Sequence, residues 1–363
     1  MTFARSTMRR KSVLFRKLKR MLAVLGAGVV LLTGCSAMDA ETKVVFTTGF
    51  NDEEVFRIEE SVCSLQELMV YLVNTQNSYE KSFGSDLWSY ETAEGTVEEK
   101  LKNSVLAKLA QIKAMNLLSQ EMGIELDEKE MELAEEAASK YYESLSEKDI
   151  EAMKGVDLET IIQIYSEYAL AEKLYDYIIR DINPEISDDE ARTITIEQIF
   201  IKTYKLDANG EKVSVSDSEK EVAYLKAKSV RAQLIEGTSF EELMARYNEA
   251  DESTLSFGKD EMEKAFEEAA FNLGTEDVSD VVEVSDGYVI IKCISTFNRE
   301  ETEANKVRIV EQRKREVFGQ QYDSFVATLT KELNEELWSK ISLTDSGEVT
   351  TDSLWEVYRE VFK

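Results

Sequence analysis

From residue 52 to about 182 the apolar side chains return every three to four positions; past the single proline, Pro184, they return every second one. From Glu300 the longer period resumes. A segment with strands enclosed by two helical ones narrows the architecture, because amphipathic stripes on both flanks need a partner surface. In the first flank Ile58, Val62, Leu65, Leu68, Met69 and Leu72 form one helical stripe. Thr96 with Glu99 offers a capping box ahead of Leu101, Val105, Leu109, Ile112 and Met115, and Gly123 stops that helix. Two more helices are expected at 128–145 and 158–179. Past Pro184 the alternation over 193–201 predicts a strand, Ser216/Glu219 and Ser239/Glu242 predict two capped helices, and 248–259 reads as a loop. Met262 and Phe266 then share one face of a short helix at i,i+4, and Tyr288-Val289-Ile290-Ile291 is a core strand. In the last flank Phe318, Tyr322, Phe325, Leu329, Leu333 and Leu337 form one helical stripe, expected to fold back on the first flank. The fold class is α+β, with the α+β domain inserted into a helical one.

Charge separates the N-terminus from the rest. Residues 1–34 hold eight basic side chains and no acid, leaving 35 basic against 72 acidic residues afterwards. So anionic a body argues against nucleic-acid binding, which needs clustered cations. The basic start is followed by a short apolar run, 21–32, and ends in Leu32-Thr33-Gly34-Cys35. This resembles the lipobox of bacterial lipoproteins, which implies a signal peptide at 1–34, lipid attachment at Cys35 and a tether over 35–51. A plain secretory signal, or an anchor helix with an incidental cysteine, is the other reading. Cys63 and Cys293 remain, and two free or buried thiols are expected rather than a bridge, Cys293 at the end of an apolar strand. The sequence contains no histidine, which removes histidine triads and histidine-ligated metals. No metal or cofactor is expected.

Residues 193–295 resemble a parvulin-type peptidyl-prolyl isomerase domain. The resemblance rests on Ile196-Glu-Gln-Ile-Phe-Ile, Ile235-Glu-Gly-Thr-Ser-Phe-Glu-Glu-Leu, Tyr247-Asn248, 262–273 and Gly287-Tyr-Val-Ile-Ile-Lys. Lipobox, helical flanks and parvulin insert together resemble the foldases of Gram-positive bacteria, the PrsA type, and their SurA relatives. The resemblance implies a helical chaperone domain at 52–185, a parvulin-like domain at 190–296 and a C-terminal segment at 300–363 packing on the first. It further implies a proline pocket walled by Phe257, Met262 and Phe266. Gln198 and Val289 stand where the family carries histidines, and Ala250 or Asp251 falls at its Cys or Asp position. Gln keeps one hydrogen bond and Val none, so the implied function is a lipid-anchored folding factor at the extracytoplasmic face. It would bind unfolded exported proteins with isomerase activity weakened or lost. An active isomerase with a reduced site, or a non-catalytic surface lipoprotein, are the alternatives.

Overall fold

A computed structural model of the chain describes residues 49–92, 95–207, 210–344 and 347–363. Cys35 and the expected leader lie outside the described residues. The elements run β1 (Glu54–Ile58), β2 (Ser61–Ser64), α1 (Leu65–Phe83), β3 (Glu91–Thr92), β4 (Gly95–Thr96), α2 (Val97–Glu121), α3 (Glu128–Glu143), α4 (Glu147–Ala152) and α5 (Leu158–Ile179). There follow β5 (Ile194–Lys202), β6 (Tyr204–Leu206), β7 (Lys212–Ser214), α6 (Asp217–Ile235), α7 (Phe240–Tyr247), β8 (Thr254–Phe257), α8 (Lys264–Phe271), β9 (Val282–Val284) and β10 (Gly287–Ser295). The chain closes with α9 (Arg299–Val326), β11 (Lys331–Leu333), α10 (Glu335–Lys340) and α11 (Leu354–Val361).

These elements divide into two units: the chain through Asp181 together with Arg315–Lys363, and Ile182–Lys314 between them. The α+β unit is thus inserted in the helical one, the class expected from the alternating periods. Among the described residues no helix is long and apolar enough to cross a membrane.

In the helical unit the predicted caps form. Thr96 Oγ1 accepts from the Glu99 N–H at 3.2 Å, and Glu99 Oε2 returns a bond to Thr96 N at 2.9 Å. Two expectations fail for one physical reason. Ile58 and Val62 do not belong to a helix: they lie on β1 and β2, a hairpin turning at Glu59, whose φ is 51°. The C-terminal stripe is also broken, because α9 ends at Val326 and Leu333 pairs with Phe56 in the sheet β11-β1-β2, while Leu337 sits on α10. β1 and β11 answer to each other across more than 270 residues, which local periodicity cannot register, and β2 is held by β1 across the turn. The C-terminal chain nevertheless returns onto the first helices: Phe318 meets Tyr175 edge to face at 5.1 Å, and the Tyr165 hydroxyl donates to the Leu354 carbonyl at 2.6 Å.

The core of this unit holds charge. Lys113, only 1% exposed, reaches Glu67 Oε2 at 3.0 Å and Glu167 Oε1 at 2.7 Å. Two carboxylates share one ammonium, so burial, and then repulsion from Glu167, lift Glu67 from its usual 4.5 to about 7 against the pull of Lys113. Burial and the same glutamate push the neighbouring Cys63 thiol up. Both Cys63 and Cys293 are free and buried. A folded-state value above the unfolded one means that the folded chain holds the proton more tightly. The stability it confers is therefore complete below about 4.5 and is lost as pH rises through about 7, a change on the order of 3 kcal/mol. Urea unfolding at pH 5 and pH 8 should show this loss in the native chain and not in Glu67→Gln; an identical pH dependence in the two would contradict it.

The α+β unit is built on an antiparallel sheet of order β8-β5-β10-β9. Alternation along β5 sends Ile199 and Ile201 to one face, against Val230 of α6 and Phe240 and Leu243 of α7. Ile194 and Ile196 go to the other face, with Val289 and Ile291 of β10 and Phe266 of α8. The expected loop at 248–259 contains an edge strand instead: β8 pairs Ile194 with Phe257 and Ile196 with Leu255. Gly287, opposite Lys202, starts β10; a Cβ there would lie 2.2 Å from the Ile201 carbonyl oxygen, so the close approach of β10 to β5 requires glycine.

Candidate functional site

The residues singled out in the sequence come together on the α8 face of this sheet. Register places Gln198 opposite Ile291 and Phe200 opposite Val289, so all four side chains share one face. Phe257 arrives from the end of β8 and Phe266 from α8. Their rings stand 5.6 Å apart at 47°, and Phe271 closes on Phe257 at 5.9 Å. Phe257, Phe266 and Val289 are buried, at 3%, 5% and 0% exposure, whereas Met262, Phe200 and Leu255 are partly exposed against the same cluster. The buried aromatics form the floor, and Met262 and Phe200 offer the apolar surface that a ligand can reach.

Met262 does not share a helix with Phe266. Glu263 adopts extended backbone (φ −57°, ψ 135°), so α8 begins one residue later, at Lys264. The Glu263 carboxylate is drawn away to the β9–β10 turn, where it accepts from Ser285 N–H at 3.0 Å and from the Ser285 hydroxyl at 2.9 Å. Met262 still meets the cluster, from the loop rather than from the helix.

Polar side chains brace the site. Gln198 donates through Nε2 to the Glu252 carbonyl at 2.9 Å, and its backbone N–H donates to the Ser253 carbonyl at 2.8 Å. Asn248 Oδ1 accepts from the N–H groups of Phe200, at 2.9 Å, and Ala250, at 3.3 Å. The segment 248–253 is thereby tied along β5, which fixes it beside Phe200. Asp251 within it is exposed and makes no ion pair with any described residue. Val289 brings no polar atom to the opposite strand. The Gln198 amide is committed to the loop, so the cluster presents an apolar surface with no group for moving a proton. Among the described residues no three Cys, Asp or Glu side chains converge to hold a metal.

Sequence reasoning quoted Phe200 and Asn248 within the motifs of the resemblance but gave neither a place in the site. That of Phe200 was legible, since alternation from Ile194 through Ile196 and Gln198 puts it on the same face. That of Asn248 was not, because its bond to the Phe200 N–H joins residues 48 positions apart.

Known proteins resemble this chain around the same site. Residues 199–295 match the family model described as Rotamase: PPIC-type PPIASE domain. A peptidyl-prolyl cis-trans isomerase Pin1 from Malus domestica is 33% identical over 92 residues, 24% of this chain and 74% of that protein. One from Arabidopsis thaliana is 35% identical over 79 residues, 20% of this chain and 66% of that protein. A foldase protein PrsA from Halalkalibacterium halodurans is 25% identical over 212 residues, 57% of this chain and 59% of that protein. The chain thus spans about two thirds or less of the Arabidopsis and Halalkalibacterium proteins.

Proposed function

Because this chain belongs to the PPIC-type peptidyl-prolyl cis-trans isomerase family, we propose that it is an extracytoplasmic folding factor anchored to the membrane through Cys35. It binds unfolded exported polypeptides, and its isomerase activity is weakened or lost. The observation that carries this reading is the apolar surface of Met262 and Phe200 over the buried floor of Phe257 and Phe266, with Gln198 and Val289 beside it. A proline ring fits an apolar surface of this kind, and desolvating the amide favours rotation, because turning an X-Pro bond breaks no covalent bond. What the surface lacks is a second polar side chain to hold the twisted amide: Val289 supplies none, and the Gln198 amide is engaged by Glu252.

Cis–trans exchange of a proline tetrapeptide in the presence of the full chain tests the activity. The expected exchange time is close to the uncatalysed one, about tens to hundreds of seconds at 25 °C. An acceleration of orders of magnitude that Met262→Ala removes would establish an active isomerase instead. The anchor is checked separately, since Cys35→Ala should lose acyl labelling in the producing cell; labelling that persists would place the anchor elsewhere.

A further inference from the structure

A cavity of about 230 Å³ opens between α3, α5 and α11, wholly within the helical unit and remote in sequence from the proline site. One ordered water needs only about 10–15 Å³, so this space suits a larger occupant. Three carboxylates line it: Glu130 on α3, and Glu172 and Asp176 spaced i,i+4 on one face of α5. Lys173 is engaged by Glu130, leaving the lining acidic by two charges. The Tyr358 hydroxyl donates to Glu172 Oε2 at 2.7 Å and so orients that carboxylate, while Asp176 is exposed and makes no ion pair with a described residue. The remaining wall is apolar, from Leu126 and Ala169 together with the rings of Tyr358 and Phe362. Tyr358 and Phe362 stack at 4.3 Å and 21°, and Phe362 is half-exposed.

This combination selects among ligands. Anions are repelled by the same carboxylates, and a purely apolar ligand would desolvate them without compensation. A bare metal ion finds no convergent set, since no three acids among the described residues lie close enough together. An extended organic cation satisfies every part: its charge faces the aromatic ring, an attraction of about 0.5–2 kcal/mol, and its N–H donors reach oriented carboxylate oxygens. We propose that the cavity docks an arginine or lysine side chain presented by an unfolded polypeptide. Charge complementarity names the occupant: a basic side chain is the one protein group that is both long and cationic. The cavity carries the basic side chain as ligand, while the unfolded polypeptide that presents it rests on the proposed folding-factor role; failure of the arginine peptide to bind would leave the proline-site reading untouched.

The test is calorimetric titration of the full chain with N-acetylated, amidated Gly-Arg-Gly, with Gly-Glu-Gly as the opposite charge and arginine amide as the free cation. Because the whole chain carries −29, general attraction is controlled by Glu135→Gln/Glu136→Gln, two exposed acids of α3 outside the cavity. The expected result is saturable binding of the arginine peptide. It should weaken at least tenfold in Glu172→Gln/Asp176→Asn, more than twofold in Asp176→Asn alone, and not at all in the control pair. Asp176 is exposed and unpaired, so its variant leaves the fold intact. Equal weakening in the control pair, no saturation, comparable binding of Gly-Glu-Gly or an unaffected Asp176→Asn would each overturn the proposal. Arginine amide binding more tightly than the peptide would overturn the polypeptide as occupant.

Discussion

Lys113→Met is expected to lower the unfolding free energy of the helical unit by about 3–5 kcal/mol, the cost of stranding buried carboxylates without their cation. An exposed ion pair contributes about 0–1 kcal/mol because water screens it. Lys113 and Glu67 have lost that screening, with side-chain exposures of 1% and 4%. The substitution removes bonds of 3.0 and 2.7 Å at once and leaves Glu67 facing Glu167. Glu167 Oε2 is already buried without a partner, so the cluster has no spare donor to absorb the change. Adding Glu67→Gln to Lys113→Met should recover part of the loss, because one of the two stranded charges disappears. Urea midpoints of the native chain, the single and the double variant decide this. A single-variant loss below about 1 kcal/mol would mean that water reaches the cluster.

Phe266→Ala should cost the α+β unit about 3–5 kcal/mol, the range for emptying a buried aromatic site. Its ring packs on Phe257 at 5.6 Å under β5 and β10, where neither strand can collapse without breaking the Val289–Phe200 register. Met262→Ala should cost about 2 kcal/mol or less, since Met262 is only partly buried and joins the cluster from a loop. The two variants thus separate floor from binding surface. Phe266→Ala lowers stability and binding together, whereas Met262→Ala removes ligand contact from a unit that still folds. Equal thermal shifts in the two would show that Met262 is core rather than binding surface.

How much the sequence disclosed depended on the range of the interactions. Caps lie within four residues, and the Thr96/Glu99 box stood where its spacing predicted it. Alternation along β5 likewise marked the two faces of the sheet, and with them the face that carries Gln198; Val289 and Phe266 were singled out by the family resemblance, not by period. Pairings over long range stayed hidden. Ile58 and Leu333 belong to one three-stranded sheet, yet each sits in a run whose spacing reads as helical. β8 was hidden for a related reason: Thr254-Leu-Ser-Phe is an edge strand of four residues in a polar stretch, ordered by β5 rather than by its own propensity. The buried Lys113 was equally silent, because a lysine within an amphipathic helix ordinarily marks the solvated face.

The central claim is that the surface of Met262 and Phe200, floored by Phe257 and Phe266, holds proline-containing chain. Its most direct test follows the Met262 methyl resonance of the full chain during titration with an X-Pro tetrapeptide and with the same peptide carrying alanine for proline. The account predicts a saturable shift of that methyl with the proline peptide alone, and binding at least tenfold weaker in Met262→Ala. A methyl resonance that does not move, or that moves equally for both peptides, would contradict it.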